Sequence, residues 1–156
     1  MNLSPDGLAR IQAREGTVLT MYRDSAGLPT IGVGHLLTKD ENSSGKLTIG
    51  GVTIDWHQGL SEDQATALLG QDLDTAVHAV NLLVQVPLLQ CQFDALCSFV
   101  FNVGVGAFSG STLLRRVNAG ENDVPNQLRR WTYSGGQVNP GLVKRRESEV
   151  SQWEGL

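Results

Sequence analysis

The sequence predicts an α+β fold in which a small antiparallel sheet and a set of helices occupy separate parts of the chain. Three observations indicate this class. Short apolar and β-branched runs, broken by glycines, fill residues 19–55. An apolar periodicity of three to four residues follows at about 61–85 and predicts one long helix. The remainder consists of segments with a helical pattern of apolar residues.

Length and composition fit one folded domain, residues 1–156. Hydrophobic residues make up 40% of the chain and charged residues 18%, which allows a packed core. We place a sheet lobe at about 17–60, a connecting helix at about 61–85 and a helical lobe at about 86–156, which the N-terminal helix joins. The sequence shows neither a run of about 18 apolar residues nor a secretory signal, so we expect synthesis in the cytoplasm.

Charge, histidine and cysteine patterns argue against several classes of function. The formal net charge is −4, and residues 111–156 carry 7 basic against 5 acidic side chains, a poor footprint for nucleic acid. The three histidines lack the spacing of metal ligands. Cys91 and Cys97 lie six residues apart in an apolar helical run, beyond disulfide reach, and are interpreted as small buried hydrophobic residues. We expect no metal, no cofactor and no nucleic-acid partner.

The first predicted element is a short helix with an acid in its last turn. Ser4 followed by Pro5 is typical of an N-cap and a proline in the first turn. Ile11 marks the apolar face, and Gly16 is expected to end the helix. Glu15 therefore lies in the last turn.

The sheet is predicted from extended segments and turn signals. Residues 19–24 and 30–34 are expected to be strands joined by a turn. Two further strands flank Gly50-Gly51, a pair that is typical of a two-residue hairpin turn. We expect all of these strands to belong to one sheet within residues 19–55.

The helices of the remaining chain are predicted from caps and periodicity. Ser61 and Gln64 form an S-x-x-Q capping box, which begins a helix of about six turns that stops before Pro87. Residues 88–103 are apolar nearly all round, as a central buried helix should be. Further helices are predicted to begin at Ser111 or Thr112 and at Asp123, and to run from about Pro140 to Trp153.

Two acids, Glu15 and Asp24, stand nine residues apart at the edges of a glycine-rich segment. The C-terminal end of a helix is partially negative and, with partial burial, favours a carboxyl that keeps its proton, as a general acid must. Asp24 follows a strand at a turn, where it should be wetter and ionised. Thr30 is predicted across that turn, so its hydroxyl could share a water with Asp24. These are the parts of a glycoside hydrolase, although a solvated helix end and an ordinary aspartate turn explain the same spacing.

This segment resembles the active-site signature of the T-even phage-type lysozymes, the endolysins of glycoside hydrolase family 24. The shared residues are Glu15-Gly16, Leu19, Tyr22, Asp24, Gly27 and the run Thr30-Ile31-Gly32-Val33-Gly34-His35. The likeness continues at residues 70–74, 99–104, 108–113 and 141–147 and so spans nearly the whole chain. It implies a lysozyme-like fold, with the small sheet lobe joined by the long helix to the helical lobe.

The resemblance also implies a role for individual residues. Glu15 would be the general acid, and Asp24 with Thr30 would hold the attacking water in a reaction that inverts the anomeric carbon. The residues implied to bind the saccharide are Leu36, Phe101 and Ser111, with Thr112 fitting nearly as well as Ser111. The resemblance further suggests an ion pair of His35 with Asp72 and a contact of Arg145 or Arg146 with Glu15.

The implied activity is hydrolysis of the β-1,4 bond between N-acetylmuramic acid and N-acetylglucosamine in peptidoglycan, by a monomer, for host cell lysis. A holin-type membrane permeabiliser would let the enzyme pass from the host cytoplasm to the wall. Three alternatives stay open: a chitinase or goose-type lysozyme, a non-catalytic wall-binding module, and a phage-baseplate domain. The net charge of −4 departs from the basic best-known member and weakens long-range attraction to an anionic wall.

Overall fold

The computed structural model describes all 156 residues, as eight α-helices, seven β-strands and one 3₁₀ turn at Trp56–Gln58. The helices are α1 (Pro5–Glu15), α2 (Lys39–Ser44), α3 (Glu62–Leu83), α4 (Gln90–Val103), α5 (Val105–Ser109), α6 (Thr112–Asn118), α7 (Val124–Arg129) and α8 (Pro140–Trp153). The strands are β1 (Val18–Arg23), β2 (Pro29–Gly32), β3 (His35–Leu36), β4 (Lys46–Ile49), β5 (Val52–Asp55), β6 (Tyr133–Ser134) and β7 (Gln137–Val138). No helix has the length and apolar content needed to cross a membrane.

The chain divides into two compact units. The sheet unit is Leu8–Asp74, and the helical unit is Met1–Gly7 together with Thr75–Leu156. The helices α1 and α3 contribute residues to both units. The predicted α+β class, with sheet and helices in separate parts of the chain, is confirmed.

The sheet unit contains two antiparallel sheets rather than the single sheet predicted for residues 19–55. One has the strand order β1-β2-β3 and the other is the β4–β5 hairpin. The hairpin turn is Gly50-Gly51 as predicted, and both glycines have positive φ, +57° and +81°. In the chain, α2 lies between the two sheets. The helix α2 was not predicted, because it has no buried residue and therefore no apolar period.

The core of the sheet unit lies beneath its two sheets and the start of α3. Ile31 of β2 and Leu47 of β4 are almost fully buried with Leu68 of α3. The capping box predicted at the start of α3 is present, because Gln64 N–H donates to Ser61 Oγ at 3.1 Å and Ser61 N–H donates to Gln64 Oε1 at 2.8 Å. The helix has 22 residues, in agreement with the predicted six turns.

The helical unit is organised around α4. All residues from Phe93 to Val100 are buried, and α8 packs against α4. Phe99 meets the ring of Phe108 edge-on at 6.2 Å and that of Trp131 at 5.3 Å between centroids. The final helix, α8, has the predicted bounds. The β6–β7 hairpin was not predicted, because two strands of two residues are too short to show alternation.

Candidate active site

Glu15 is placed by the end of α1, in the sheet unit. Gly16 N–H donates to the Gln12 carbonyl at 2.9 Å, and Gly16 then takes φ +77°, which stops the helix. Two residues later β1 begins, so the helix end leads directly into the first strand. The predicted helix-end position is confirmed. Glu15 is exposed, so burial does not add to the effect of the helix end.

Asp24 closes the turn between β1 and β2. Its Oδ1 accepts hydrogen bonds from Ala26 N–H at 2.9 Å and from Leu28 N–H at 2.8 Å. Its own N–H donates to the Leu28 carbonyl at 3.0 Å. The carboxylate is therefore fixed through one oxygen, and Oδ2 makes no hydrogen bond within the chain. A rigid carboxylate with one uncommitted oxygen is suited to hold a water.

Thr30 lies on β2 beside the same turn. Its register partner on β1 is Tyr22, two residues before Asp24, so it is close to but not directly opposite Asp24. Only 2% of Thr30 is exposed, and its hydroxyl donates to the Leu28 carbonyl at 3.0 Å. Asp24 and Thr30 thus both hydrogen-bond to the main chain of Leu28. The two side chains of the predicted water-holding pair therefore lie next to the same residue.

The three residues implied to bind saccharide have different surroundings. Leu36 of β3 is the register partner of Thr30, and half of its surface is exposed. Phe101 is half-buried near the end of α4, in the helical unit. Ser111 is buried and caps α6: its Oγ accepts from Leu114 N–H at 3.0 Å and donates to the Phe108 carbonyl at 2.7 Å. Its hydroxyl is committed to the main chain, so we do not include Ser111 in the proposed saccharide contacts.

His35 links three elements of the sheet unit. Its Nδ1 lies 2.9 Å from Asp72 Oδ2 of α3, which confirms the predicted pair. Its Nε2 lies 3.2 Å from Glu41 Oε2 of α2, a partner that was not predicted. Burial by itself lowers the pKa of His35, but the hydrogen bonds and charges of Asp72 and Glu41 outweigh burial and raise it above 6.5. The T-x-x-E capping box of Thr38 was the available signal for Glu41.

Arg146 belongs to the core of the helical unit. It is fully buried, with Nη1 donating to Glu149, Nη2 to Asn102 and Nε to the Trp131 carbonyl at 3.1 Å. Its guanidinium also lies 4.8 Å from the centre of the Phe99 ring. The burial of Arg146 was not predicted, because a basic run at residues 144–146 gives no sign of it. The contact of Arg145 or Arg146 with Glu15 stays a prediction.

Glu15 at a helix end and Asp24 in a strand turn beside the Thr30 hydroxyl, in an α+β fold, are the groups expected of a glycoside hydrolase of the lysozyme class. Comparison with known proteins gives the family. The model of the phage lysozyme family matches residues 12–149, and this chain belongs to that family. It is accordingly a lysozyme-type enzyme that hydrolyses peptidoglycan in host lysis.

Individual relatives agree with this assignment. An endolysin of Salmonella phage P22 is 44% identical over 118 residues, which cover 76% of this chain and 74% of that protein. The structure of a P22 lysozyme variant superposes with a TM-score of 0.83 at 34% identity and covers 99% of both chains. The muramidase domain of SpmX from Asticaccaulis excentricus gives a TM-score of 0.78 at 35% identity and 97% coverage of both chains.

Proposed function

We propose that this endolysin hydrolyses the β-1,4 bond between N-acetylmuramic acid and N-acetylglucosamine with inversion at the anomeric carbon. Glu15 donates a proton to the leaving oxygen. Asp24 and Thr30 hold the attacking water, and Leu36 and Phe101 contact the saccharide. The whole activity resides in one lysozyme-like domain, residues 1–156.

The observation that supports the water-holding pair is that Asp24 and Thr30 both hydrogen-bond to the main chain of Leu28. Asp24 Oδ1 is occupied by two main-chain N–H groups, and the one proton of the Thr30 hydroxyl is donated to the Leu28 carbonyl. Asp24 Oδ2 and the lone pairs of Thr30 Oγ1 are therefore left as acceptors. A water between them donates one hydrogen to each, and its own lone pair is then available to attack the anomeric carbon.

This arrangement favours inversion. As the water attacks, Asp24 accepts its proton and Glu15 gives a proton to the departing sugar oxygen, so charge is balanced across the step. An aspartate that binds water does not itself form a bond to the sugar, which is the difference between inverting and retaining enzymes. The product released from a β-linkage is then the α-anomer.

The test is clearing of purified peptidoglycan by Glu15→Gln and Asp24→Asn proteins. Each change keeps the size of the side chain and removes its ability to transfer a proton, and we expect a loss of about 10²–10⁴-fold in rate. Glu62→Gln is the matched control, because Glu62 is also exposed and lies in the sheet unit. Glu15→Gln protein with full activity would contradict the assignment of the acid.

The water-holding role is tested separately at Thr30. Thr30→Ser keeps the hydroxyl and should keep most of the activity. Thr30→Ala removes the hydroxyl and should lose most of the activity. Anomer analysis of the first product by NMR decides the stereochemistry, and a β-anomer would contradict inversion. Parallel assays on chitin oligomers separate this enzyme from a chitinase, since activity on chitin alone would contradict the proposed bond.

We further propose that the enzyme acts as a monomer and is made in the host cytoplasm. A holin-type permeabiliser then gives it access to the wall. Expression of the chain alone in a bacterial host should leave cells intact, and subsequent permeabilisation of the membrane should lyse them. Lysis by the chain alone would contradict this route.

A further inference from the structure

The helical unit contains a pocket of about 330 Å³ that no predicted site residue lines. Its walls include Asn102, Arg130, Trp131, Tyr133, Leu142 and Arg146. The volume is at the lower end of the range for ligand sites, about 300–1,000 Å³. It suits a small group of a larger ligand rather than a whole cofactor.

Asn102 lines this pocket with a side-chain amide that Arg146 orients. The buried Arg146 donates to Asn102 Oδ1, and since a guanidinium can only donate, the oxygen of the amide must face it. The Nδ2 group therefore points away from Arg146, and it makes no hydrogen bond within the chain. Arg146 is itself held by Glu149 and by the Trp131 carbonyl, so the orientation of the amide is set from inside the core.

The other walls supply aromatic surface and positive charge. Trp131 packs edge-on against Phe99 and forms the fixed wall. Tyr133 is 64% exposed on the β6–β7 hairpin, and Arg130 is exposed as well. No aspartate or glutamate lines the pocket. The pocket thus offers donors and an aromatic face without a competing acidic acceptor.

We propose that this pocket binds the acetamido group of an N-acetylated amino sugar. Asn102 Nδ2 donates to the acetamido carbonyl, and the Tyr133 ring packs against the apolar face of the sugar. Arg146 is a positioning residue, which acts by holding the amide of Asn102 in its donor-outward orientation. The inference rests on the proposed function, which supplies an N-acetylated saccharide as the substrate, and it assigns a further contact to that substrate.

The test follows the side-chain amide of Asn102 by ¹H–¹⁵N NMR, in Glu15→Gln protein so that turnover does not interfere. Titration with the N-acetylglucosamine trisaccharide should shift this amide saturably, whereas the deacetylated glucosamine trisaccharide should not. Asn102→Asp keeps an acceptor for Arg146 but removes the outward donor, and we expect affinity to fall about tenfold. Asn122→Asp makes the same change at an exposed residue outside the pocket and should leave affinity unchanged.

The positioning role has its own readout. Arg146→Lys keeps a positive charge near Glu149 but loses the second guanidinium arm, so the two Asn102 amide resonances should move toward those of a solvent-exposed asparagine. In active protein, Asn102→Asp should raise KM for peptidoglycan while kcat stays the same.

Saccharide binding that leaves the Asn102 amide unmoved, or that is equally tight in Asn102→Asp protein, overturns the inference. The trisaccharide titration does not depend on catalysis. A failure of the proposed function, seen as undiminished clearing by Glu15→Gln protein, is therefore distinguishable from a failure of this pocket.

Discussion

The two units each hold a cation between two side-chain acceptors, but in different surroundings. In the helical unit the cation is Arg146, fully buried between Glu149 and Asn102. In the sheet unit it is His35, whose side chain is 12% exposed, between Asp72 and Glu41. Arginine stays charged throughout the accessible pH range, whereas histidine loses its proton near neutrality. The first cluster is therefore a permanent part of a core, and the second depends on pH.

The largest expected effect comes from removing the buried cation. Arg146→Met leaves Glu149 buried without its partner, and we expect the free energy of unfolding to fall by about 3–5 kcal/mol. Urea unfolding followed by circular dichroism measures the loss. If that protein does not fold, the paired change Arg146→Met with Glu149→Leu should restore folding, because both charges of this buried pair are then removed.

The same variant tests whether the Arg146 cluster is a fixed part of the core. If Arg146→Met costs no more than the loss of an exposed ion pair, under about 1 kcal/mol, then the cluster is not the fixed core structure described above. Arg129, which pairs with Glu147 on the surface, provides the reference through Arg129→Met.

A smaller, pH-dependent effect is expected in the sheet unit. The folded-state pKa of His35 is raised above its ordinary value, so the stability that this pair contributes is fully present below about pH 6.5 and is lost as pH rises through the raised pKa. Asp72→Asn should cost about 1.5–3 kcal/mol at pH 6 and much less at pH 9. Unfolding at the two pH values measures this, with Asp74→Asn, exposed on the same helix, as the control. An equal loss at both would contradict the role of the histidine charge.

Glu41 sets the lower limit of the pH range in which this cluster stabilises the fold. Burial raises the pKa of Glu41, but its hydrogen bonds with Thr38 and His35 outweigh burial and lower it below 4.5. Its contribution is therefore present above about pH 4.5 and lost as pH falls through the lowered value. The complete cluster should be most stabilising between these two pH limits. Glu41→Gln should reduce the difference between the free energies of unfolding at pH 6 and at pH 4.

The smallest expected effect concerns the helix caps of the two units. Ser111→Ala removes the cap of α6, and Thr38→Ala removes that of α2, so each should lower the free energy of unfolding by about 1 kcal/mol. Because the Ser111 hydroxyl is committed to the main chain, KM for peptidoglycan should not change. A raised KM with unchanged stability would restore Ser111 as a saccharide contact. Thr112→Ala is the comparison variant, since the sequence could not choose between the two residues.

Much of the fold was predictable because local signals agreed with it. The bounds of α8, the capping box at Ser61 and the Gly50-Gly51 hairpin all depend on residues close together in the chain. The missed elements lack such signals: α2 buries nothing, and the β6–β7 hairpin is held by a Gly135-Gly136 turn with only two residues on each side. The split into two sheets was not predictable either, because no local signal shows which strands pair with one another.

The candidate site was predictable in its residue types but not in its contacts. Resemblance supplied Glu15, Asp24 and Thr30, but the shared contacts with Leu28 depend on the register of β1 and β2, which no pattern in the sequence fixes. The burial of Arg146 was likewise not predictable, because it depends on Asn102, which lies on another helix. The exposure of Glu15 was not predictable either, because a helix end in the sequence does not reveal how much solvent reaches the side chain.

One carboxylate oxygen of Glu41 contacts two different groups. Its Oε2 accepts from Thr38 N–H at 2.8 Å, which completes the cap of α2, and it also meets His35 Nε2 at 3.2 Å. When His35 loses its positive charge, its attraction for Oε2 weakens, and we expect the hydrogen bond from Thr38 N–H to Oε2 to strengthen. The rate at which the Thr38 amide exchanges its hydrogen with solvent should therefore follow the titration of a histidine three residues away, so a residue that cannot itself titrate would report the protonation state of the cluster.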